Sequence, residues 1–318
     1  MPSGATGHGF EHVAVVGPGA IGLVLAVRLA HVAGGPKVTL IDHDAGRARR
    51  LSGRPIRLSS PSGDVEARIP VRLAPDAPAD LVILATKAYA ARGAAAGAAG
   101  WIADAPVLAI QNGLGVAAEV AAALPHATVI TGVMYQAANL AGEGAVRHVA
   151  CLMTHLGYEG RGPDATAGEV ADLLNAAGLP ARTETDITPA VWGKLLVNAA
   201  INPVAALAAA RNGEVAARPT LRAMAQAVAD EGQATADAAG VALPYPSAAR
   251  AAIDTARETA ENRCSMLQDL EAGRPTEIDY LNGAIVRIAE ERGVQVPANR
   301  AVTALVRQVS AVQKAGSS

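Results

Sequence analysis

The sequence of 318 residues has few aromatic side chains, few cysteines and little net charge. Phenylalanine, tryptophan and tyrosine together make up 3%, which argues against the aromatic platforms on which single-stranded nucleic acids stack. A formal net charge of -2 argues against electrostatic binding to nucleic acid or to a membrane surface. The two cysteines, Cys151 and Cys264, are too few for a disulfide framework and predict reduced thiols in a cytoplasmic protein.

The sequence also lacks the patterns of targeting, membrane and metal-binding segments. The opening M-P-S-G-A-T-G-H-G-F has neither the basic start nor the apolar run of a signal peptide, and it predicts a frayed tail. The most apolar stretch, Val13 to Val32, is interrupted by Gly17-Pro18-Gly19 and carries Arg28, so it is not a membrane span. The seven histidines show no metal-ligand spacing, and no metal site is predicted.

A glycine motif near the start provides the first indication of function. Gly17-Pro18-Gly19-Ala20-Ile21-Gly22 lies between a short apolar strand, 12–16, and a helix that extends to about residue 32. Gly17 allows the tight turn, Gly19 lets the backbone approach a pyrophosphate, and Gly22 lets helix and strand pack closely. Because a helix N-terminus attracts phosphate groups, this pattern predicts a dinucleotide-binding loop.

Asp42 bears on the choice of dinucleotide. It follows a second strand, 37–41, at the distance from Gly22 where a ribose-binding carboxylate is expected, although an ordinary turn residue is the alternative. A carboxylate repels a 2′-phosphate, and His43 is a weak phosphate ligand at neutral pH, so the pair favours NADH. Arg47, Arg49 and Arg50 offer a phosphate clamp for NADPH, but a solvated helix face is the favoured interpretation of these arginines.

Two later strands end in polar residues. The apolar run 81–86 is followed by Lys87, and the run 107–110 is followed by Gln111-Asn112-Gly113. Ligands of a doubly wound sheet bind at the carboxyl ends of its strands, which makes Lys87 and Asn112 candidate site residues. A solvated loop lysine and an Asn-Gly turn are the alternatives.

The order of elements predicts an α/β fold with two domains. Further strands are expected within 54–70 and at 128–133, 145–156 and 180–183, with a helix at 165–176. Helices alone follow, at about 189–200, 219–239, 247–271, 279–292 and 298–314. We therefore predict a Rossmann-type, doubly wound dinucleotide-binding domain over residues 1–186 and an all-helical substrate and catalytic domain over 187–318.

One helical segment carries an unusual polar stripe. The segment 191–203 reads V-W-G-K-L-L-V-N-A-A-I-N-P, which predicts a helix closed by Pro203. Lys194, Asn198 and Asn202 are four residues apart and share one side of it. A solvated stripe is the alternative, but such a stripe usually carries more charge, and asparagine is a poor helix former. The pattern favours a site.

Two other polar residues are candidates for the same site. Ser265 lies in N-R-C-S-M-L-Q-D, where a solvent-facing serine on a helix is the alternative. Glu277 follows Thr276 in G-R-P-T-E-I-D-Y-L-N-G, where Thr276 suits an N-cap and Glu277 the first turn of a helix. Glu277 is equally suited to partner a partly buried Lys194, and the sequence leaves both interpretations open.

Five motifs, in this order, make the chain resemble the ketopantoate reductases, also called 2-dehydropantoate 2-reductases. They are G-P-G-A-I-G, T-K-A, Q-N-G-L-G, W-x-K-x-x-x-N-x-x-x-N-P, and S-M-L-Q-D with T-E-I-D-Y-x-N-G. The resemblance covers nearly the whole chain and implies an active site in a cleft between the two domains. It also implies roles for six polar residues: Lys194 as the catalytic acid, Asn198 and Asn202 at the hydroxyl and carbonyl of the substrate, Ser265 at its carboxylate, Asn112 completing the pocket, and Glu277 positioning Lys194 or contacting ligand. Asn112 and Glu277 are also candidate contacts of the cofactor. Lys87 would lie near cofactor and substrate.

The resemblance implies NAD(P)H-dependent reduction of a 2-oxo acid by a cytoplasmic enzyme, most simply ketopantoate to pantoate in pantothenate and CoA biosynthesis. NADPH is the common cofactor of the family, whereas Asp42-His43 stands where an arginine is usual. The segment V-M-Y-Q-A-A-N-L after Gly132 also departs from the family pattern. An NAD-dependent D-2-hydroxyacid dehydrogenase for another bulky 2-oxo acid is therefore an alternative. A dinucleotide-binding sensor without turnover is another, and a homodimer is left open.

Overall fold

The computed structural model describes residues 9–102 and 104–316, and it divides into two compact units. The first unit comprises the chain up to Gln111 together with Val116–Ile187. The second comprises Asn112–Gly115 and the chain from Thr188 onward. The four residues Asn112–Gly115 belong to the second unit, where the N–H of Leu114 donates to the carbonyl oxygen of Tyr280 at 3.0 Å.

The first unit is built on one mixed sheet of ten strands with five helices. The strands are β1 (His12–Val16), β2 (Lys37–Ile41), β3 (Ile56–Ser59), β4 (Val65–Ala67), β5 (Val71–Arg72), β6 (Leu81–Leu84), β7 (Val107–Ala109), β8 (Val129–Gly142), β9 (Ala145–Gly157) and β10 (Ala181–Thr183). The helices are α1 (Ala20–Ala30), α2 (Ala45–Ser52), α3 (Ala88–Ile102), α4 (Val116–Ala123) and α5 (Ala165–Ala176). The spatial order is β4-β3-β9-β8-β7-β6-β1-β2-β5, and β10 pairs with β9.

The centre of this sheet has the predicted Rossmann-type arrangement. Strands β2, β1, β6, β7 and β8 are neighbours in parallel, and their near-continuous apolar sequences suit strands buried on both faces. The chain order reverses at β1, which lies between β2 and β6. In open sheets of this kind, ligands bind outside the carboxyl ends of the strands at such a reversal.

The periphery of the sheet differs from the prediction. Strand β8 was predicted to end at Val133 but continues to Gly142, because it forms a long antiparallel hairpin with β9 whose register shifts at three places. The two-residue strand β5 was not predicted, since so short a segment carries no periodic pattern. Residues 1–8 of the predicted frayed tail lie outside the described residues, but Phe10 is buried in the hydrophobic core, which corrects that prediction.

The second unit is helical, as predicted, although several helix boundaries differ. Its helices are α6 (Thr188–Leu207), α7 (Asn212–Ala217), α8 (Pro219–Ala238), α9 (Ala248–Glu258), α10 (Ser265–Glu271), α11 (Asn282–Arg292) and α12 (Pro297–Gly316). Helix α6 packs against five of the others: α7, α8, α9, α10 and α12. Its length and composition would allow it to span a membrane, but 72% of its most apolar window is buried inside the protein, as expected of a core helix.

Helix α6 does not end at Pro203, which corrects the prediction. It continues through the proline to Leu207. Pro203 has no N–H, so the carbonyl of Ala199 loses its partner within the helix. The side-chain Nδ2 of Asn282 donates to that carbonyl at 3.0 Å in a buried contact. A long-range hydrogen bond therefore overrides the local signal of the proline.

The segment that was predicted as one helix over 247–271 is two helices. Helix α9 ends at Glu258, and α10 begins at Ser265 with Cys264 as its N-cap. The Sγ atom of Cys264 accepts the N–H of Leu267 at 3.4 Å. Cysteine was not anticipated as a cap, because serine, threonine, aspartate and asparagine are the usual N-cap residues.

The helix predicted over 279–292 begins only at Asn282, and Leu281 is its N-cap. Glu277 lies in the turn before this helix, and Thr276 is not its cap. The explanation of Glu277 as a first-turn residue that favours the helix dipole is therefore wrong.

Candidate active site

The glycine loop has the geometry that a dinucleotide requires. Gly17 has a φ of +104°, and a Cβ atom there would lie 3.1 Å from the backbone of Ala85. A Cβ atom on Gly22 would lie 1.9 Å from the carbonyl oxygen of Gly17, so helix α1 and the loop touch at this point. A Cβ atom on Gly19 would meet nothing within 4 Å, which leaves open space beside the backbone.

The surroundings of this loop fit an anionic ligand. Helix α1 begins at Ala20, next to Gly19, which offers no side-chain cap, and its first turn carries no acidic residue. The N–H groups of that turn are thus suited to a phosphate. Next to Gly17, the buried Oγ1 of Thr86 has no hydrogen-bond partner among the described residues. A pyrophosphate fits these donors.

Asp42 is held by an arginine of its own unit. Its side chain is fully buried, and it accepts hydrogen bonds from Nε and Nη2 of Arg47 at 2.5 and 2.6 Å and from the N–H of Asp44 at 3.0 Å. Burial acts to raise the pKa of Asp42, but the bonds from Arg47 and Asp44 together hold it below its usual value. The favoured interpretation of Arg47 as part of a solvated helix face is therefore wrong.

The other candidates of the first unit follow the strands next to β1. Val16 pairs with Ile41 on one side and with Leu84 on the other, so the glycine loop, Asp42 and Lys87 all follow the carboxyl ends of neighbouring strands. Lys87 is half-buried. The side chain of His43 is 92% exposed, with its Nδ1 at 3.6 Å from Oδ1 of Asp42, whereas Arg47 makes two short bonds to the same carboxylate.

The polar stripe lies on helix α6 of the second unit. Lys194 and Asn198 are half-buried and Asn202 is buried. Among the residues that the structure describes, none forms a hydrogen bond with the side-chain amides of Asn198 and Asn202. Two amides without protein partners on the helix that carries a lysine are suited to a polar ligand.

Glu277 and Asn112 meet in the same unit. Glu277 is 5% exposed, and Nδ2 of Asn112 donates to its Oε2 at 3.3 Å. Burial lowers the pKa of Lys194 to about 8, while the negative charge of Glu277 acts in the opposite direction. The structure thus favours the interpretation of Glu277 as an electrostatic partner of Lys194.

Asn112 is held by a loop that only glycine allows. Gly113 has a φ of +102°, and a Cβ atom there would lie 2.4 Å from the carbonyl oxygen of Tyr280. Together with the bond from Leu114 to Tyr280, this close contact fixes Asn112 against the turn that carries Glu277.

Ser265 is exposed at the start of α10. No hydrogen bond among the described residues joins its side chain to Lys194, Asn198 or Asn202. Its neighbour Cys264 donates from Sγ to the carbonyl oxygen of Asn202 at 3.5 Å, so Ser265 adjoins a residue that contacts the stripe.

Sequence reasoning missed Thr86, Cys264 and Asn282 as supporting residues, and it named Arg47 as a possible phosphate clamp but not as the partner of Asp42. Thr86 lies in the T-K-A motif and Asn282 in the Y-x-N-G motif. These motifs drew attention to neighbouring residues, but they did not show which contacts Thr86 and Asn282 make. Among the described residues, no group of three or more His, Cys, Asp or Glu side chains is arranged to hold a metal ion.

Comparisons with known proteins cover both units. Residues 13–160 match the family model described as ketopantoate reductase PanE/ApbA, and residues 186–310 match the model of its C-terminal domain. A 2-dehydropantoate 2-reductase of Halobacterium salinarum is 35% identical over 298 residues, which are 93% of this chain and 97% of that protein. The crystal structure of a PanE/ApbA family ketopantoate reductase from Ralstonia eutropha JMP134 has a TM-score of 0.87 at 32% identity, covering 96% of this chain and 100% of that one. The ternary structure of D-mandelate dehydrogenase with NADH and anilino(oxo)acetate has a TM-score of 0.88 at 26% identity, covering 95% and 99%.

Proposed function

The chain belongs to the ketopantoate reductase family and is an NAD(P)-dependent oxidoreductase, and from this premise we propose that it reduces 2-dehydropantoate to pantoate in the cytoplasm. The observation that carries the proposal is the stripe of Lys194, Asn198 and Asn202 on α6. The negative charge of Glu277 acts to raise the pKa of Lys194 in this stripe. The names of the relatives support the substrate, which is the precursor of pantoate for pantothenate and CoA synthesis.

Lys194 has the properties of a general acid for this reaction. When bound, the nicotinamide coenzyme would supply the hydride. Reduction of a 2-oxo group places negative charge on its oxygen, which a protonated lysine stabilises and neutralises by giving up its proton. With a pKa of about 8, Lys194 is mostly protonated at neutral pH, yet it is a stronger acid than an ordinary lysine.

The neutral side chains around Lys194 are suited to orient the substrate. Asn198 and Asn202 would hold its hydroxyl and carbonyl region, and Ser265 its carboxylate. Asn112 would complete the pocket beside Glu277, which it already contacts. Neutral donors hold an anionic substrate without lowering the pKa of Lys194, as a second cation would.

The pKa of Lys194 predicts the pH dependence. In the direction of reduction, kcat/KM should fall as the pH rises above about 8, because the acid loses its proton. Glu277→Gln removes a charge that raises this pKa, so the falling limb should move to lower pH by about one unit. Profiles of kcat/KM against pH would measure both positions.

Asp279→Asn is the matched control for this profile. Asp279 is an exposed carboxylate of the same turn and pairs with Arg307 on α12. Its removal should leave the limb in place. If the falling limb stays at the same pH in Glu277→Gln, or moves equally in both variants, Glu277 does not set the pKa of Lys194 and the prediction is wrong.

The Asp42–Arg47 pair bears on the coenzyme. We propose that Asp42 favours NADH by accepting hydrogen bonds from the ribose, and that Arg47 admits NADPH when it leaves Asp42 for the 2′-phosphate. A guanidinium binds both carboxylate and phosphate bidentately, so the same side chain suits both partners. Solved D-mandelate dehydrogenase complexes contain NADH, which supports NADH use in this fold.

Two substitutions test this assignment. Asp42→Ala should erode a preference for NADH, and Arg47→Ala should lower kcat/KM for NADPH by about tenfold or more with little effect on NADH. The measurement is the ratio of kcat/KM for the two coenzymes with one 2-oxo acid. Arg49→Ala, an exposed arginine of the same helix, should leave the ratio unchanged. An equal loss with both coenzymes in Arg47→Ala would contradict a role in selecting the phosphate.

A second candidate substrate comes from the structural similarity to D-mandelate dehydrogenase. That enzyme was solved with a bulky aromatic 2-oxo acid derivative, and this chain departs from the family pattern after Gly132. The deciding experiment compares kcat/KM for 2-dehydropantoate, phenylglyoxylate and branched aliphatic 2-oxo acids. A clear preference for phenylglyoxylate would replace our proposal. Coenzyme binding without turnover of any of these acids would indicate a sensor.

A further inference from the structure

We infer that Asn282 is a positioning residue for this reaction. Its side chain donates the hydrogen bond that Pro203 cannot make within α6, and it thereby fixes the helix that carries Lys194, Asn198 and Asn202. The inference rests on the proposed function, because it concerns the geometry of that site. Asn282 itself would not contact the substrate.

The break lies inside the polar stripe. The carbonyl freed by Pro203 belongs to Ala199, which directly follows Asn198 and precedes Asn202. This part of α6 is buried, so the carbonyl must find another donor. Nδ2 of Asn282 supplies it at 3.0 Å. The direction in which Asn198 and Asn202 project thus depends on a bond from another helix.

Asn282 is held in place by a network of hydrogen bonds between buried and partly buried groups. Its Nδ2 also donates to Oδ1 of Asn299 at 3.0 Å, and Nδ2 of Asn299 donates to the carbonyl of Val228 at 3.0 Å and to Glu231 at 2.9 Å. Glu231 in turn accepts the N–H groups of Ala298 and Asn299 at the start of α12. The network joins α6, α8, α11 and α12.

The orientation of the amide shows which of its atoms matters. Asn282 is 0% exposed, and its Oδ1 is buried without a hydrogen-bond partner among the described residues. Both hydrogen bonds that its side chain makes to other described residues are donated by Nδ2. An unpaired buried oxygen is unfavourable, so Oδ1 does not account for an amide at this position. The two hydrogen bonds donated by Nδ2 account for it.

Asn282 also connects the turn of Glu277 to α6. It begins α11 directly after that turn, where the N–H of Leu281 donates to the carbonyl of Glu277 at 3.1 Å. One side chain therefore ties the turn that carries Glu277 to the backbone next to Asn198. Loss of this tie should let α6 shift relative to Glu277 and admit water to Lys194.

A double-mutant cycle with Pro203→Ala tests the inference in the chain of 318 residues. Alanine at 203 restores the N–H that the Ala199 carbonyl lacks, so Asn282 should become dispensable. At temperatures well below unfolding, Asn282→Ala should lower kcat/KM by about 10–100-fold, since a displacement of about 1 Å can cost about 10²-fold. In the Pro203→Ala background, the same substitution should cost no more than a few-fold.

Thr303→Val serves as the structural control. It removes another buried hydrogen bond, from Oγ1 of Thr303 to the backbone carbonyl of Asn299, which lies within α12 and involves neither Asn282 nor the side-chain amide of Asn299. This variant should lose some stability and keep its kcat/KM. If Asn282→Ala behaves in the same way, or if its effect on kcat/KM is equal in both backgrounds, Asn282 is structural only and the inference is wrong.

A second readout does not depend on turnover. Lys37, Lys87, Lys194 and Lys314 are the four lysines of the sequence, so ¹³C-dimethylation and NMR can follow Lys194 individually. Desolvation is the largest cause of its low pKa, so Asn282→Ala should raise that pKa toward 10.5, and Pro203→Ala should reverse the change. An unmoved titration overturns the inference. Absence of 2-oxo acid reduction in the parent overturns the proposed function, while the titration still decides on Asn282.

Discussion

Replacing Lys194 with alanine should lower kcat by about 10²–10⁴-fold, the usual contribution of a positioned general acid. Coenzyme affinity should change little, because the glycine loop and Asp42, which would hold the pyrophosphate and the ribose, belong to the first unit and Lys194 belongs to the second. Steady-state oxidation of NAD(P)H gives kcat, and a fluorescence titration with NAD(P)H gives the coenzyme Kd.

The pH profile adds a second test of Lys194. The falling limb above about pH 8 should disappear from the residual activity of Lys194→Ala, because the group that titrates is gone. Lys37→Ala is the matched control, since Lys37 is an exposed lysine at the start of β2. A Lys194→Ala enzyme within a few-fold of the parent rate would assign the acid to another group.

Alanine at Gly22 should strongly destabilise the first unit, whereas alanine at Gly19 should leave its stability nearly unchanged. A Cβ atom on Gly22 would overlap the carbonyl oxygen of Gly17, and neither backbone segment can move without separating α1 from β1. Overpacking typically costs about 1–3 kcal/mol and occasionally more, and an overlap between two backbone segments falls at the upper end of this range. Gly19 has an ordinary φ of -77° and open space beside it, so the same change is tolerated there.

A comparison of the two variants should therefore separate an effect on folding from an effect on coenzyme binding. Gly19→Ala fills the space beside the backbone that a pyrophosphate would approach, so the KM for the coenzyme should rise by about tenfold or more. Thermal unfolding measures the first effect and coenzyme titration the second. Unchanged coenzyme binding in Gly19→Ala would place the dinucleotide elsewhere, and a stable Gly22→Ala would contradict the packing at Gly17.

The sequence predicted those elements whose signals are local. Strands β1, β2 and β6 follow from short apolar runs between turn residues, and the spacing of Lys194, Asn198 and Asn202 placed them correctly on one helix. The Rossmann-type fold and the family were confirmed. The roles of the individual site residues remain proposals.

The errors arose where distant residues supply hydrogen bonds. Pro203 predicts a helix end, because the sequence does not show that the amide of Asn282 replaces the missing donor. Arg47 reads as solvated because nothing local shows that it reaches back to Asp42. Choosing between the two interpretations of Glu277 requires knowing where α11 begins. That position depends on the packing of Asn282 and not on Thr276.

The loop Asn112–Gly115 has a consequence for the order of folding. It is synthesised within the first unit, but its partner Glu277 follows 165 residues later. During synthesis the first unit can therefore form its core while this loop still lacks its contacts. Closing so long a segment carries a large entropic cost before any contact forms, which makes such pairings slow. We expect the meeting of Asn112 with Glu277 to be among the last steps of folding, so that the active site matures only after both cores exist.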